Sequence, residues 1–156
     1  MLQNFLALWT LLLSASVLAQ APLEVTTTLA SSYPQGAEDA VTITVKLDDP
    51  VGLEQGVLFL NIVERDPART YPQAGHKLLT SGGETPKIFR KVYAADVLQK
   101  GLRTTLEFRV RSDAEPGDYS LVVQLFEGET TNPGRVRLEN RVGLAAFDFT
   151  VEEMEN

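Results

Sequence analysis

Between Thr104 and Glu127 the chain reads TTLEFRVRSDAEPGDYSLVVQLFE, and this stretch leaves few options for the rest. Leu106, Phe108 and Val110 alternate with Glu107, Arg109 and Arg111, the period-two pattern of a strand with one dry and one wet face. Tyr119, Leu121, Val123 and Leu125 repeat it. Between them, Glu115-Pro116-Gly117-Asp118 puts proline where a type II turn needs φ of about −65° and glycine where it needs a positive φ. Two one-faced strands joined by a short corner must bury their apolar sides against a second layer.

The same residues carry a resemblance. A hydrophobic-alternating strand, a corner of the form A-x-P-G-x-Y and a second strand resemble the E strand, corner and F strand of bacterial immunoglobulin-like sandwich domains, over about twenty-five residues. The resemblance implies that Tyr119 is a corner tyrosine, its ring buried and its hydroxyl bonded back to the loop, with Pro116 and Gly117 shaping the bend. Unlike antibody-type domains, the chain has no cysteine, and its one tryptophan is Trp9.

The remaining strands are read from the same period. Leu23 to Leu29 alternates and suits a sheet edge; Tyr33-Pro34-Gln35-Gly36 reads as a turn. Val41, Ile43, Val45 and Leu47 point one way and Thr42, Thr44 and Lys46 the other. Pro50 breaks that strand, since proline cannot donate to a ladder. VLFLNIVE, from Val57 to Glu64, is apolar on both parities, which predicts a central strand covered on each face. Asp66 to Lys87 is irregular, with Pro67, Pro72 and Pro86, and has room for a short strand at His76 to Leu79. Ile88 to Tyr93 reads as a strand and Ala94 to Lys100 as one helical turn stopped by Gly101. A turn-rich link from Gly128 leads to a short extension at Arg135 to Leu138, and Phe147, Phe149 and Val151 mark the last strand. The expected fold is an all-β, immunoglobulin-like antiparallel β-sandwich of about seven strands.

Met1 to Ala19 holds no charged residue and ends in small ones, the pattern of a secretory signal peptide, although the usual basic n-region is missing. Cleavage after Ala19 is preferred over Ala21, which would leave Pro22 next to the scissile bond. The apolar run from Phe5 to Ala19 falls short of the roughly 20 residues that span a bilayer. Residues 20–156 are then one domain, expected in the periplasm or outside the cell. With no cysteine there is neither a disulfide nor thiol chemistry, so packing must supply stability. A net charge of −7 repels phosphate and disfavours nucleic acid or an anionic membrane as partner.

Candidate sites are sparse. His76 is the sole histidine, so a Ser-His-Asp constellation or a zinc site lacks its parts. No phosphate-binding glycine loop follows a strand, and no cofactor is expected. Asp113, Glu115 and Asp118, or Glu38, Asp39, Asp48 and Asp49, are the acidic groups from which a calcium site would have to be built, although their spacing fits no calcium loop. A pair of carboxylates could serve glycoside hydrolysis only across a defined cleft. Tyr33, Tyr71 and Tyr93 are the rings left for sugar stacking. Tyr71, His76 and Lys77 form the candidate binding loop, because long loops on a rigid scaffold carry recognition. Arg109 and Arg111 are expected to point outward from one sheet, and Arg135, Arg137 and Arg141 to lie near the other, so they form no single basic groove. The resulting expectation is a non-catalytic binding, adhesion or accessory domain that meets a protein or cell-envelope component, a glycan among the options. Carbohydrate-binding and protease-inhibitor modules are the alternatives, and a small hydrolase stands behind them.

Overall fold

The computed structural model describes residues 23–50, 52–65, 89–132 and 135–154. Among these residues eight strands and one short α-helix run in the order β1 (Leu23–Thr27), β2 (Ser32–Pro34), β3 (Glu38–Leu47), β4 (Gln55–Glu64), β5 (Phe89–Ala94), α1 (Ala95–Lys100), β6 (Leu102–Arg109), β7 (Gly117–Glu127) and β8 (Arg141–Glu152). They form a three-stranded sheet, β1-β3-β6, and a five-stranded sheet, β2-β8-β7-β4-β5. Every pairing is antiparallel except that of β2 with β8.

The alternation in the sequence is what the two sheets bury. Val41, Ile43 and Val45 of β3 and Phe108 of β6 face Leu58, Leu60 and Ile62 of β4, Tyr119, Leu121 and Val123 of β7 and Phe149 and Val151 of β8 in one core. Each such side chain contributes about 1.5–3 kcal/mol by leaving water, so a register slip of one residue, which exchanges dry for wet faces, is strongly disfavoured. One end of the core is closed by α1, whose Leu98 is wholly buried with Leu47 and Leu125. A helix of this length does not persist alone. Leu98 anchors it, and Gly101 ends it at φ 97°, where a side chain would be strained.

The strand that is apolar on both parities lies between β7 and β5, as its pattern demands. Its outer residues Val57 and Phe59 are buried with Phe126, against Val92 of β5 and Val136 of the link before β8. Arg90 lies 6.0 Å over the Phe59 ring, and its guanidinium reaches the Thr131 carbonyl at 3.5 Å, holding that link against the sheet.

Four local expectations are corrected. Tyr33-Pro34 is the end of a strand, not the start of a turn: Ser32, Tyr33 and Pro34 pair with Thr150, Val151 and Glu152, and the turn follows at Gly36 (φ 79°). The cause is the Tyr33 ring, buried against Phe108 at 4.7 Å and Phe149 at 5.9 Å. The reverse turn before β7 lies at Arg111 to Ala114, closed by the Ala114 N–H on the Arg111 carbonyl (3.2 Å), and not at Glu115 to Asp118. Gly117 is instead drawn into β7 by pairing with Val151 and takes φ 153°. Arg135 to Leu138 forms no strand; a 3-10 turn at Leu138–Asn140 leads directly into β8. Finally, β8 begins at Arg141 and not near Phe147, because its first half pairs with β7 back to Phe126 across a bulge at Leu125/Phe126.

Candidate interaction surfaces

The residues 66–88, with Tyr71, His76 and Lys77, lie outside the described residues, as do the expected strand at His76 to Leu79 and residues 1–19. What is described is its start, at Arg65. Arg65 is tied to β7 by its N–H on the Asp118 carbonyl (2.8 Å), and its guanidinium meets Asp148 of β8 at 2.9 Å. Asp148 also accepts from the Ser120 hydroxyl (2.6 Å), and the Thr150 hydroxyl donates to Asp118 (3.1 Å). These groups make a polar border at one end of the outer face of the five-stranded sheet.

Beside that border the outer face carries apolar side chains among polar ones. The register aligns Asn61, Val122 and Ala146 in one row and Phe59, Gln124 and Leu144 in the next. Val122 is half-buried, whereas Leu144 stands 48% exposed and Leu138, on the adjoining 3-10 turn, 76% exposed. Nothing in local periodicity marks this face. The period-two rule assigns Leu144 and Ala146 to a wet face, and only the register places Ala146 opposite Val122 and Leu144 opposite Gln124.

At the corner, Tyr119 is buried and its hydroxyl donates to the Glu115 carbonyl at 2.6 Å. Pro116 is exposed and Gly117 half-buried. The whole bend is tied to β2 and the turn after it: the Gln35 amide donates to the Ala114 carbonyl (2.6 Å), and the Gly36 N–H to the Arg111 carbonyl (3.3 Å). Replacing Tyr119 by phenylalanine keeps the ring and removes the tether. The expected loss is about 1 kcal/mol, the net worth of one such bond, read as a melting temperature lower by roughly 3–4 °C for a domain of this size. An unchanged melting temperature would mean that the bond contributes nothing.

Of the acidic groups weighed for calcium, Glu38, Asp39, Asp48 and Asp113 hold other partners. Asp39 accepts from the Tyr33 hydroxyl (2.8 Å) and the Ala40 N–H (2.7 Å). Asp48 pairs with Lys46 at 3.1 Å, Glu38 with Arg109 at 3.4 Å and Asp113 with Arg111, whose guanidinium holds the Asp113 carboxyl below the usual carboxylate range. Among the described residues no three His, Cys, Asp or Glu side chains converge as metal ligands would. Arg137 pairs with Glu139 at 3.3 Å. The depression among Glu38, Asp39, Ala40, Glu107, Phe108 and Arg109 is open and holds about 260 Å³. Neither described tyrosine of the stacking set is an open platform. Tyr33 is in the core, and Tyr93 is half-buried with Lys91 5.5 Å over its ring. Burial pushes both phenols above their ordinary range.

No protein-family model matches the chain, and no curated protein matches it. Among solved structures it is similar to E. coli alpha-2-macroglobulin in its native conformation, at 15% identity and a TM-score of 0.41, covering 85% of this chain and 7% of that one. It is similar also to the β-glucosidase of Listeria innocua in complex with gluconolactone, at 15% identity and a TM-score of 0.37, covering 83% of this chain and 16% of that one. The chain thus spans a small part of either protein, and neither likeness carries an argument about its activity.

Proposed function

We propose that the chain is an exported immunoglobulin-like domain that works by binding a protein component of the cell envelope or extracellular space, and not by catalysis. The observation that carries this reading is the outer face of the five-stranded sheet. Its exposed Leu144 and Ala146, the latter opposite Val122 and next to the Arg65–Asp148 pair in the register, are apolar surface that the core does not need. Arg65, the last described residue before the segment 66–88 with its candidate residues Tyr71, His76 and Lys77, stands at that border. The immunoglobulin-like reading is supported by the buried Tyr119 and its bond back to Glu115. Export is supported by the uncharged apolar run of residues 1–19.

Residues 20–156 immobilised as bait, beside a version lacking residues 69–83 and a Leu144→Asp version, test the reading. Leu144 is half exposed, so the aspartate is expected to fold normally while placing a charge where an apolar contact would form. The expected result is a partner recovered by the parent and lost from at least one variant. Equal recovery by all three proteins, or no partner for any, would overturn it.

A further inference from the structure

The three-stranded sheet ends on β6, and among the described residues no strand pairs with its far side. Other sheet edges are shorter: β2 has three residues and carries Pro34, β1 has five and β5 six. β6 has eight, contains neither proline nor glycine, and pairs with β3 without a register shift from Leu102 to Arg109. A long, regular edge is a template for another strand unless its sequence prevents it.

The side chains on that edge select which strand fits. Arg103, Thr105, Glu107 and Arg109 are exposed on the outer face, and Leu102, Thr104, Leu106 and Phe108 point toward the core. A second β6 joining antiparallel must place outer residues opposite outer residues, because directly opposed residues share a face. That condition leaves only registers centred on a residue. Centring on Leu106 puts Arg103 against Arg109, a like-charge pair, and Arg109 is already held by Glu38. A centre at Glu107 opposes two glutamates. On Thr105 the match is complementary: Arg103 faces Glu107 of the second copy, Glu107 faces its Arg103, and Thr105 faces Thr105. On the core side the same register sets Leu102 against Phe108 and Thr104 against Leu106.

We infer that two copies of this chain join through β6 about a two-fold axis at Thr105, making one continuous six-stranded sheet. The inference goes beyond partner binding and uses the other sheet, so either can fail without the other.

The chain has no cysteine, so one can be introduced without side reactions. In residues 20–156, Thr105→Cys is expected to cross-link into a covalent dimer under mild oxidation, since opposed residues in an antiparallel pair lie within disulfide reach. Arg103→Cys alone or Glu107→Cys alone is expected not to cross-link, because equivalent positions then sit about 13 Å apart along the strands. Mixed together, those two should form only the mixed disulfide. In sedimentation of the cysteine-free protein, Glu107→Arg should weaken the dimer by about tenfold, and Arg103→Glu added to it should restore the parent value. These positions are exposed, so the variants are expected to fold. Thr105→Cys cross-linking no faster than Glu107→Cys, or a parent protein that stays monomeric at the highest soluble concentration, would overturn the inference.

Discussion

Phe108→Ala is expected to cost residues 20–156 about 3–5 kcal/mol of folding stability, as for other large aromatic truncations in a core. Phe108 is wholly buried, and it is the aromatic side chain that the three-stranded sheet sends across to the other layer. Its ring lies 4.7 Å from that of Tyr33 and 5.4 Å, edge-on, from that of Phe149. Phe149 in turn stacks on Tyr119 at 5.8 Å. Removing Phe108 therefore opens a cavity and strips partners from a ring cluster that joins β2, β6, β7 and β8. The neighbours cannot collapse into the space, because Tyr33 is held by two hydrogen bonds, from its hydroxyl to Asp39 and from the Ala30 N–H to its hydroxyl. Domains of this kind have roughly 5–15 kcal/mol in all, so the variant should melt lower by roughly 10–20 °C in a circular-dichroism scan. Leu106→Ala, two residues earlier and only half-buried, is the internal control. A larger loss at Leu106 than at Phe108 would show that the ring cluster does not join the layers.

Gly143→Ala is expected to be the second most damaging of the changes considered, by about 1–3 kcal/mol. A Cβ at Gly143 would lie 2.6 Å from Leu23 Cβ and 2.9 Å from Leu23 Cδ2. The first of these contacts cannot be relieved by turning the leucine, because Cβ moves only with the backbone. β1 must therefore lift from β8, loosening its first pair, Leu23 with Leu47, and exposing the end of the core that Leu47, Leu98 and Leu125 close. The geometry also predicts the double-mutant outcome. Leu23→Ala leaves the Cβ in place and should give no rescue. Leu23→Gly removes it, so the combination should be less destabilised than the sum of its single changes. Urea unfolding of the parent, the three single variants and the two double variants measures this, and strict additivity for Leu23→Gly would contradict the close approach.

Part of the molecule is legible from residue order. Val41, Ile43, Val45 and Leu47 announce β3 and its buried face, and the double-sided apolar run announces β4 as the central strand. Gly101 after Lys100 marks the end of α1. These are near-neighbour effects, set by strand pleat and by the conformations each residue type tolerates. The misplaced elements depend on distant pairing. Tyr33-Pro34-Gln35-Gly36 has turn chemistry, but an aromatic pocket supplied by β6 and β8 claims its first residue. Pro116-Gly117 has it as well, and β8 draws the glycine into a ladder.

Residue order alone determined that the chain forms one-faced strands, where most of them lie and which side chains turn inward, because a pleat repeats every two residues whatever its neighbours. Tertiary structure decided which strands meet. Only contacts between segments far apart in the chain bring Ala146 opposite Val122, set Gly143 under Leu23 and, among the described residues, leave β6 as the long outer edge. The strand neighbours arise from backbone hydrogen bonds and the Gly143–Leu23 approach from packing of one sheet on the other, and no local pattern names the partners of either.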